Sequence, residues 1–140
     1  MEINLVSSIN NLNKQVKKDY FNVVIGGNYE LNKRILETKH VNLLLDPEPL
    51  EKDFMNYKNS GLNQVLVKLA KSKNIGIGFS LSRLLKLNKL DRARLLGKIM
   101  QNIILCNKYK VKIFILSNNI NHNDLEAFGL TLNAKNIYII

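Results

Sequence analysis

The residue types that most often carry enzyme chemistry are scarce in this sequence. It contains two histidines, His40 and His122, and one cysteine, Cys106. No His-x-His, His-Glu-x-x-His or Cys-x-x-Cys spacing occurs, so a zinc or dinuclear metal site is not indicated. Cys106 falls on the apolar face of a predicted helix, where a core role is far commoner than a nucleophilic one. A single cysteine forms no disulfide within the chain, and we expect a cytoplasmic protein.

An acidic cluster is the strongest candidate for a cation site. Asp46, Glu48 and Asp53 follow the third predicted strand, and Ser80 follows the next one. Carboxylates are ligands that Mg²⁺ prefers, so a metal-dependent phosphoesterase is the alternative function. The same residues can instead solvate their loop or pair with a neighbour such as Lys52. The sequence supplies no further ligands for a metal, so we predict no metal site and no catalytic residue.

The basic residues give a stronger signal. The chain of 140 residues has 21 Lys and Arg against 11 Asp and Glu, a formal charge of +10. Residues 71–140 hold twelve bases and three acids, whereas residues 1–70 hold nine and eight. A positive field concentrated in this way favours a polyanion, of which RNA and DNA are the usual examples. Asparagine is also abundant, and we assign it no function.

Two predicted helices carry bases on one face. On the long helix that starts near Leu90, Arg94 and Lys98 stand one turn apart with no acid on the same face, so we expect an external anion to offset them. Removing these two charges should then weaken RNA binding. On the helix near residue 60, Lys68 and Lys71 form a polar stripe that is equally typical of a solvated face.

The segment before that second helix is a candidate phosphate site. Ser60 is predicted to be the N-cap, and Gly61 would leave the first backbone amides accessible to a phosphate oxygen. Capping alone is the simpler interpretation.

Strand-like and helix-like segments alternate along the whole chain. Apolar runs predict strands, and apolar residues at helical spacing predict helices between them. This pattern favours a parallel sheet with right-handed crossovers, in either a doubly wound fold or part of a β/α barrel. No apolar run reaches the length of about 18 residues that a membrane span needs, and no basic leader precedes an apolar segment at the start. The predicted strands cover residues 3–6, 21–25, 41–45, 75–79, 112–116 and 136–140.

Several segments resemble one family of proteins. Residues 52–66 (KDFMNYKNSGLNQVL) look like its signature, and they are followed in the family's order by 68–70 (KLA), 77–80 (IGFS), 92–96 (RARLL) and 106–111 (CNKYKV). The family is the archaeal ribonuclease P protein component 3, the counterpart of the eukaryotic thirty-kilodalton subunit. The match is strongest over residues 41–116, and several motifs in register make coincidence an unsatisfactory explanation.

The resemblance implies a fold, an assembly and a role. The fold is a TIM-like β/α barrel of the polymerase-and-histidinol-phosphatase (PHP) type, with residues 1–140 as a single domain. The assembly is ribonuclease P, which removes the 5′ leader from precursor tRNA. Its RNA, with Mg²⁺, performs the cleavage. The protein binds no cofactor itself, pairs with another small protein subunit and supports the catalytic RNA.

The sequence also departs from the family. Gln64 stands where the family usually has histidine. Members of the family are longer, so we expect this chain to lack one or two βα units at the front and most of the final helices; a truncated gene model is the alternative. We expect a shortened barrel of about six mainly parallel strands, with an exposed edge that a partner covers. The residues that we predict to bind RNA are Lys52, Asn59, Ser60, Gly61, Lys68, Lys71, Arg92, Arg94, Lys98, Lys108 and Lys110.

Overall fold

A computed structural model of the chain describes residues 2–7, 11–50, 59–116, 122–135 and 137–140. Strands and helices alternate throughout this part of the chain. Three of the predicted strands have the predicted bounds, and the other three differ by one residue at one or both ends. The elements in order are β1 (Ile3–Val6), α1 (Leu12–Gln15), β2 (Phe21–Ile25), α2 (Tyr29–Glu37), β3 (Val41–Leu45), α3 (Gln64–Ser72), β4 (Gly76–Ser80), α4 (Leu81–Leu85), α5 (Lys89–Tyr109), β5 (Ile113–Leu116), α6 (His122–Thr131) and β6 (Ile137–Ile139).

The six strands form one sheet in the order β1-β2-β3-β4-β5-β6, and every neighbouring pair is parallel. Strand order therefore never reverses, and right-handed crossovers bring successive helices to the same face of the sheet. A doubly wound fold, which needs a reversal, is excluded. The arrangement is that of a shortened TIM-like barrel, and β1 and β6 lie at its two edges in the described part of the chain.

The main hydrophobic core lies between the sheet and the helices. Ile35 and Leu36 of α2, Leu66 of α3 and Ile99 of α5 are buried against the sheet. Burial of side chains of this size stabilises the fold by about 1.5–3 kcal/mol each. Cys106 belongs to the same core, as predicted. The described part of the chain contains no helix that is both long and apolar enough to cross a membrane.

Aromatic rings cover the opposite, inner face of the sheet. The ring of Phe114 on β5 lies 5.9 Å from that of Phe21 on β2 and 5.2 Å from that of Tyr138 on β6. A Cβ atom added to Gly76 would stand 2.3 Å from the Phe114 ring, and Gly78 lies against Leu43 and Phe114. The two glycines of β4 thus allow close packing within the sheet.

Buried asparagines hold the strands and loops in place. Asn42 is the extra residue of a β-bulge between β2 and β3, and its Oδ1 accepts a hydrogen bond of 2.7 Å from the backbone amide of Asn22. The Nδ2 of Asn32 donates to the carbonyls of Pro47 and Gly61 at 2.9 and 2.8 Å. Part of the abundance of asparagine, to which we had assigned no function, therefore has a structural role.

Two helices differ from expectation. The helical spacing of Ile9, Leu12 and Val16 predicts a longer first helix, but α1 is a single turn, and Ile9 lies outside the described residues. α4 was not predicted, because five residues are too few to produce a helical period.

Candidate nucleic-acid interface

The edge of the sheet at which the strands end, here called the carboxyl edge, holds a buried polar network. Asp46 follows β3, and its two carboxylate oxygens accept hydrogen bonds from the Ser80 amide at 2.8 Å and the Ser80 hydroxyl at 2.7 Å. Burial raises the pKa of Asp46, and these two hydrogen bonds oppose that effect. The pair ties β3 to β4, and both of its side chains are buried.

Glu48 continues the network and is only 1% exposed. Its carboxylate lies 3.7 Å from Arg83 Nη1, and its backbone carbonyl accepts a hydrogen bond from Arg83 Nη2. Burial, with a smaller contribution from the Asp46 charge, raises the pKa of Glu48 to about 7. The two described carboxylates of the acidic cluster are thus engaged within the protein, and Asp53 lies outside the described residues. Among the described residues, no group of three or more His, Cys, Asp or Glu side chains is placed to hold a metal ion.

Lys98 is not a surface residue, so its predicted contact with phosphate is wrong. The side chain is 2% exposed, and its Nζ donates a 2.7 Å hydrogen bond to the carbonyl of Pro49. On the same side of α5, Asn102 donates to the carbonyl of Ser60 at 2.9 Å. Both residues anchor the segments that flank positions 51–58.

The predicted phosphate site before α3 is also corrected. Asn63, not Ser60, is the N-cap of α3, and its Oδ1 accepts from the Leu66 amide. Ser60 is buried and donates its hydroxyl to the carbonyl of Leu62. Gly61 is buried with a positive φ of 79°, and an added Cβ would stand 2.1 Å from the Pro47 carbonyl oxygen. Asn59 is half-buried, five residues before the helix begins. Because Gly61 has no Cβ atom, the segment before α3 can pass close to the Pro47 carbonyl.

Arg92 and Arg94 lie at the start of α5, near the carboxyl edge. Arg92 Nη2 donates to the carbonyls of Leu85 and Leu87, both at 3.0 Å, and so ties α4 to α5. Arg94 is half-exposed and pairs with Asp91 at 3.6 Å. The expectation that no acid offsets Arg94 is therefore wrong, because Asp91 stands one turn before it.

Four other predicted residues come together on one surface. Lys68 and Lys71 belong to α3, whereas Lys108 and Lys110 lie at the end of α5. The ammonium groups of Lys68 and Lys108 each stand 5.4 Å from the centre of the Tyr109 ring. Lys71 Nζ donates to the carbonyl of Lys110 at 3.2 Å. We call these four residues the lysine cluster. Lys52, the remaining predicted residue, lies outside the described residues.

The lysine cluster is suited to bind a polyanion. All four of its lysines are exposed. In the described part of the chain the ion pairs join Arg83 to Glu48 and Arg94 to Asp91, so no carboxylate there neutralises the cluster. Like charges held close together repel one another, and phosphate groups can relieve that repulsion.

The sequence analysis missed three lysines that extend this surface. Lys73, Lys112 and Lys135 are exposed and stand one to three residues before β4, β5 and β6. Since the strands are parallel, their starts share one edge of the sheet, here called the amino edge. The sequence shows that a lysine precedes each of these three strands. That the three lysines share one edge follows only from the strand order, in which β4, β5 and β6 are neighbours.

The fold and the charge together indicate a class of protein. In the described part of this β/α protein, every strand is parallel to its neighbours and strand order follows the chain. Structural contacts occupy the described residues of the carboxyl edge, and lysines line the amino edge. Such a surface is typical of proteins that bind nucleic acid through phosphate contacts.

The relatives of the chain place it more narrowly. No protein-family model matches it. Ribonuclease P protein component 3 of Methanococcus vannielii is 32% identical over 117 residues, which cover 81% of this chain and 48% of the relative. The protein of the same name from Methanosarcina mazei is 33% identical over 105 residues, 75% of this chain and 41% of the relative.

A solved structure agrees with these relatives. A chain in the cryo-EM structure of archaeal ribonuclease P with mature tRNA superposes with a TM-score of 0.67 at 29% identity. The match covers 80% of this chain and 48% of that one. In the part that aligns, the chain is homologous to ribonuclease P protein component 3, as its motifs predicted. It spans about half the length of the curated relatives that it matches.

Proposed function

We propose that the chain is a protein subunit of ribonuclease P, the ribonucleoprotein that removes the 5′ leader from precursor tRNA. The observation that carries this proposal is the relationship to component 3, which extends over about four-fifths of the chain. The lysine cluster, which no described carboxylate neutralises, supports it, because a subunit of a ribonucleoprotein needs a surface for phosphate groups.

In this proposal the chain contributes binding and not bond cleavage. The described residues with perturbed pKa values, Asp46, Glu48 and Cys106, are buried and committed to the fold. The RNA and its Mg²⁺ ions perform the cleavage, and the protein binds no cofactor of its own. A second protein subunit is the expected partner, and the cytoplasm is the expected compartment.

Contacts with phosphate would act by position and charge. Lysines fixed on α3 and α5 hold the RNA backbone in one register without reading its bases. They also displace the counterions that surround the RNA, so the binding should weaken steeply as salt rises.

Reconstitution tests the proposal. The catalytic RNA and the other protein subunits of the source organism are assembled at moderate Mg²⁺, and removal of the 5′ leader from precursor tRNA is followed with and without this chain. We expect the chain to increase the initial rate. A matched control receives the chain after heat denaturation. No increase from a chain whose circular dichroism is that of a folded α/β protein would contradict the proposal.

A further inference from the structure

A groove opens at the amino edge where β4, β5 and β6 begin. It has a volume of about 220 Å³, and its lining includes Lys71, Asn74, Gly76, Lys110, Lys112 and Tyr138. Pockets that enclose a whole small molecule usually measure about 300–1,000 Å³. This groove is therefore of a size to receive one flat group and an adjoining charge, and not to enclose a ligand.

Interactions with the negative ends of nearby helices account for only part of the positive charge in the groove. Lys71 in the last turn of α3 and Lys110 at the C-cap of α5 can interact favourably with the negative ends of those helices. Lys112 lies beyond both helices, and its backbone carbonyl pairs with the Ile77 amide between β5 and β4. Its ammonium group therefore adds a positive charge that no interaction with the negative end of a helix explains.

An exposed aromatic ring completes the groove. Tyr138 is 45% exposed and stacks on Phe114 with an angle of 27° between the rings. Phe114 in turn lies over Gly76, so the tyrosine ring is held in one orientation from below. The ammonium group of Lys112 lies over the Tyr138 ring, 5.5 Å from its centre, so this flexible side chain has to swing toward a phosphate when a base stacks there.

A fixed aromatic ring beside several lysines is the combination by which proteins bind single-stranded nucleic acid. The base stacks on the ring, and the lysines take the phosphates on either side. In a duplex the bases are already stacked on one another, so they are not available to stack on the tyrosine ring.

We propose that the amino-edge groove binds an unpaired segment of RNA, with one base stacked on Tyr138 and the neighbouring phosphates held by Lys71, Lys110 and Lys112. The inference rests on the proposed function, because that function would bring the RNA to this chain. It adds the residues and the single-stranded state of the segment, and Tyr138 and Lys112 were not among the residues predicted from the sequence.

Binding of a fluorescein-labelled uridine decamer to the full chain, measured by anisotropy at low salt, tests this inference. Tyr138→Leu removes the ring, Tyr138→Phe keeps it, and Tyr29→Leu is the matched control. Tyr29 is also exposed, at 38%, but it lies at the start of α2 on the carboxyl edge. We expect Tyr138→Leu to weaken binding about 5-fold or more, while Tyr138→Phe and Tyr29→Leu stay within about 2-fold of the wild type. Circular dichroism and the melting temperature confirm that each variant is folded.

Equal binding by wild type and a folded Tyr138→Leu variant would overturn the inference. So would a 16-base-pair duplex that binds as tightly as the decamer and loses as much on the tyrosine change, or a glutamate decamer that competes as well as the RNA. These results are separable from those for the proposed function. The reconstitution can succeed while Tyr138→Leu has no effect on the decamer, and the decamer can bind as predicted while the chain fails to stimulate leader removal.

Discussion

At the scale of single residues, the carboxyl edge shows how burial changes the chemistry of a carboxylate. Glu48 has the residue type and position of a metal ligand, yet burial raises its pKa to about 7 and Arg83 stands beside it. Transfer of a carboxylate from water is costly, so the protein holds it neutral or paired.

Glu48 should make stability fall as the pH rises. Its folded pKa of about 7 lies above the ordinary value of 4.5. Between these values the folded state keeps the proton and the unfolded state loses it, so raising the pH through this window removes up to about 3 kcal/mol of stability. Glu48→Gln stays uncharged and should lack this loss, which makes it more stable than the wild type at pH 8 and similar at pH 4.5.

Urea unfolding at four values between pH 4.5 and 8 measures this effect. Glu126→Gln is the matched control, because Glu126 is exposed on α6. If Glu48→Gln and Glu126→Gln follow the same pH dependence as the wild type, the interpretation of Glu48 is wrong.

Burial also decides the reactivity of Cys106. Desolvation raises the pKa of this thiol to about 12, and the side chain is 1% exposed. Since the thiolate is the reactive form, we expect no labelling by a disulfide reagent such as dithionitrobenzoate at pH 8 and full labelling in 6 M guanidinium. Rapid labelling of the folded chain would contradict the core assignment.

At the scale of elements, one asparagine links three separate segments of the chain. The Nδ2 of Asn32 on α2 donates to the carbonyls of Pro47 and Gly61, and its Oδ1 accepts from the Gly27 amide at 3.1 Å. The loops after β2 and β3 and the segment before α3 thereby meet at one buried side chain.

Asn32→Asp should therefore destabilise the fold. An ionised aspartate has no hydrogen to donate, so its oxygens would face two carbonyl oxygens in a buried site, at a cost of about 3 kcal/mol or more. Asn13→Asp, on the exposed surface of α1, is the matched control. Urea unfolding at pH 7 compares the two, and an equal effect would show that the Asn32 contacts contribute little.

The sequence analysis was most accurate where local pattern is sufficient. The bounds of β1, β2 and β3 follow from short apolar runs, and α5 follows from a long helical period. It was least accurate at Lys98, which was assigned to the surface because lysine is rarely buried. Yet Lys98 has the helical spacing of the buried Leu95 and Asn102. Its acceptor, the Pro49 carbonyl, lies 49 residues away along the chain, and no local pattern identifies such a partner.

Residues that meet only through the sheet were likewise beyond the sequence analysis. The lysine cluster was predicted as four separate residues, and the structure brings them to one surface around Tyr109. Lys112 and Tyr138 were overlooked because β5 and β6 make them neighbours only after strand order is known.

At the scale of the whole molecule, the two edges of the sheet have different roles. Among the described residues, Asp46 and Glu48 are buried in contacts within the protein at the carboxyl edge, whereas lysines line the amino edge. At the β1 edge, Ile3 and Leu5 are 52% and 56% exposed on the inner face. That a partner covers this edge stays a prediction.

The salt dependence of binding to the ribonuclease P RNA should separate the charged surfaces. Replacing Lys71 and Lys110 together by glutamine removes two expected phosphate contacts. The slope of log affinity against log salt should then decrease by up to about 1.4 to 1.8. Lys33 and Lys89 are exposed elsewhere, on α2 and at the start of α5, and their double glutamine variant should leave the slope unchanged. Equal slopes for both variants would contradict the placement of the RNA surface.

The most direct test of membership in the ribonucleoprotein uses the native cells. The chain is tagged at its own locus and purified under mild conditions, and the RNA that accompanies it is sequenced. We predict that ribonuclease P RNA is strongly enriched over RNAs of similar length and abundance, and that the purified material removes the 5′ leader from precursor tRNA. Recovery of the tagged chain without this RNA, while leader-removing activity stays in the unbound fraction, would contradict the account.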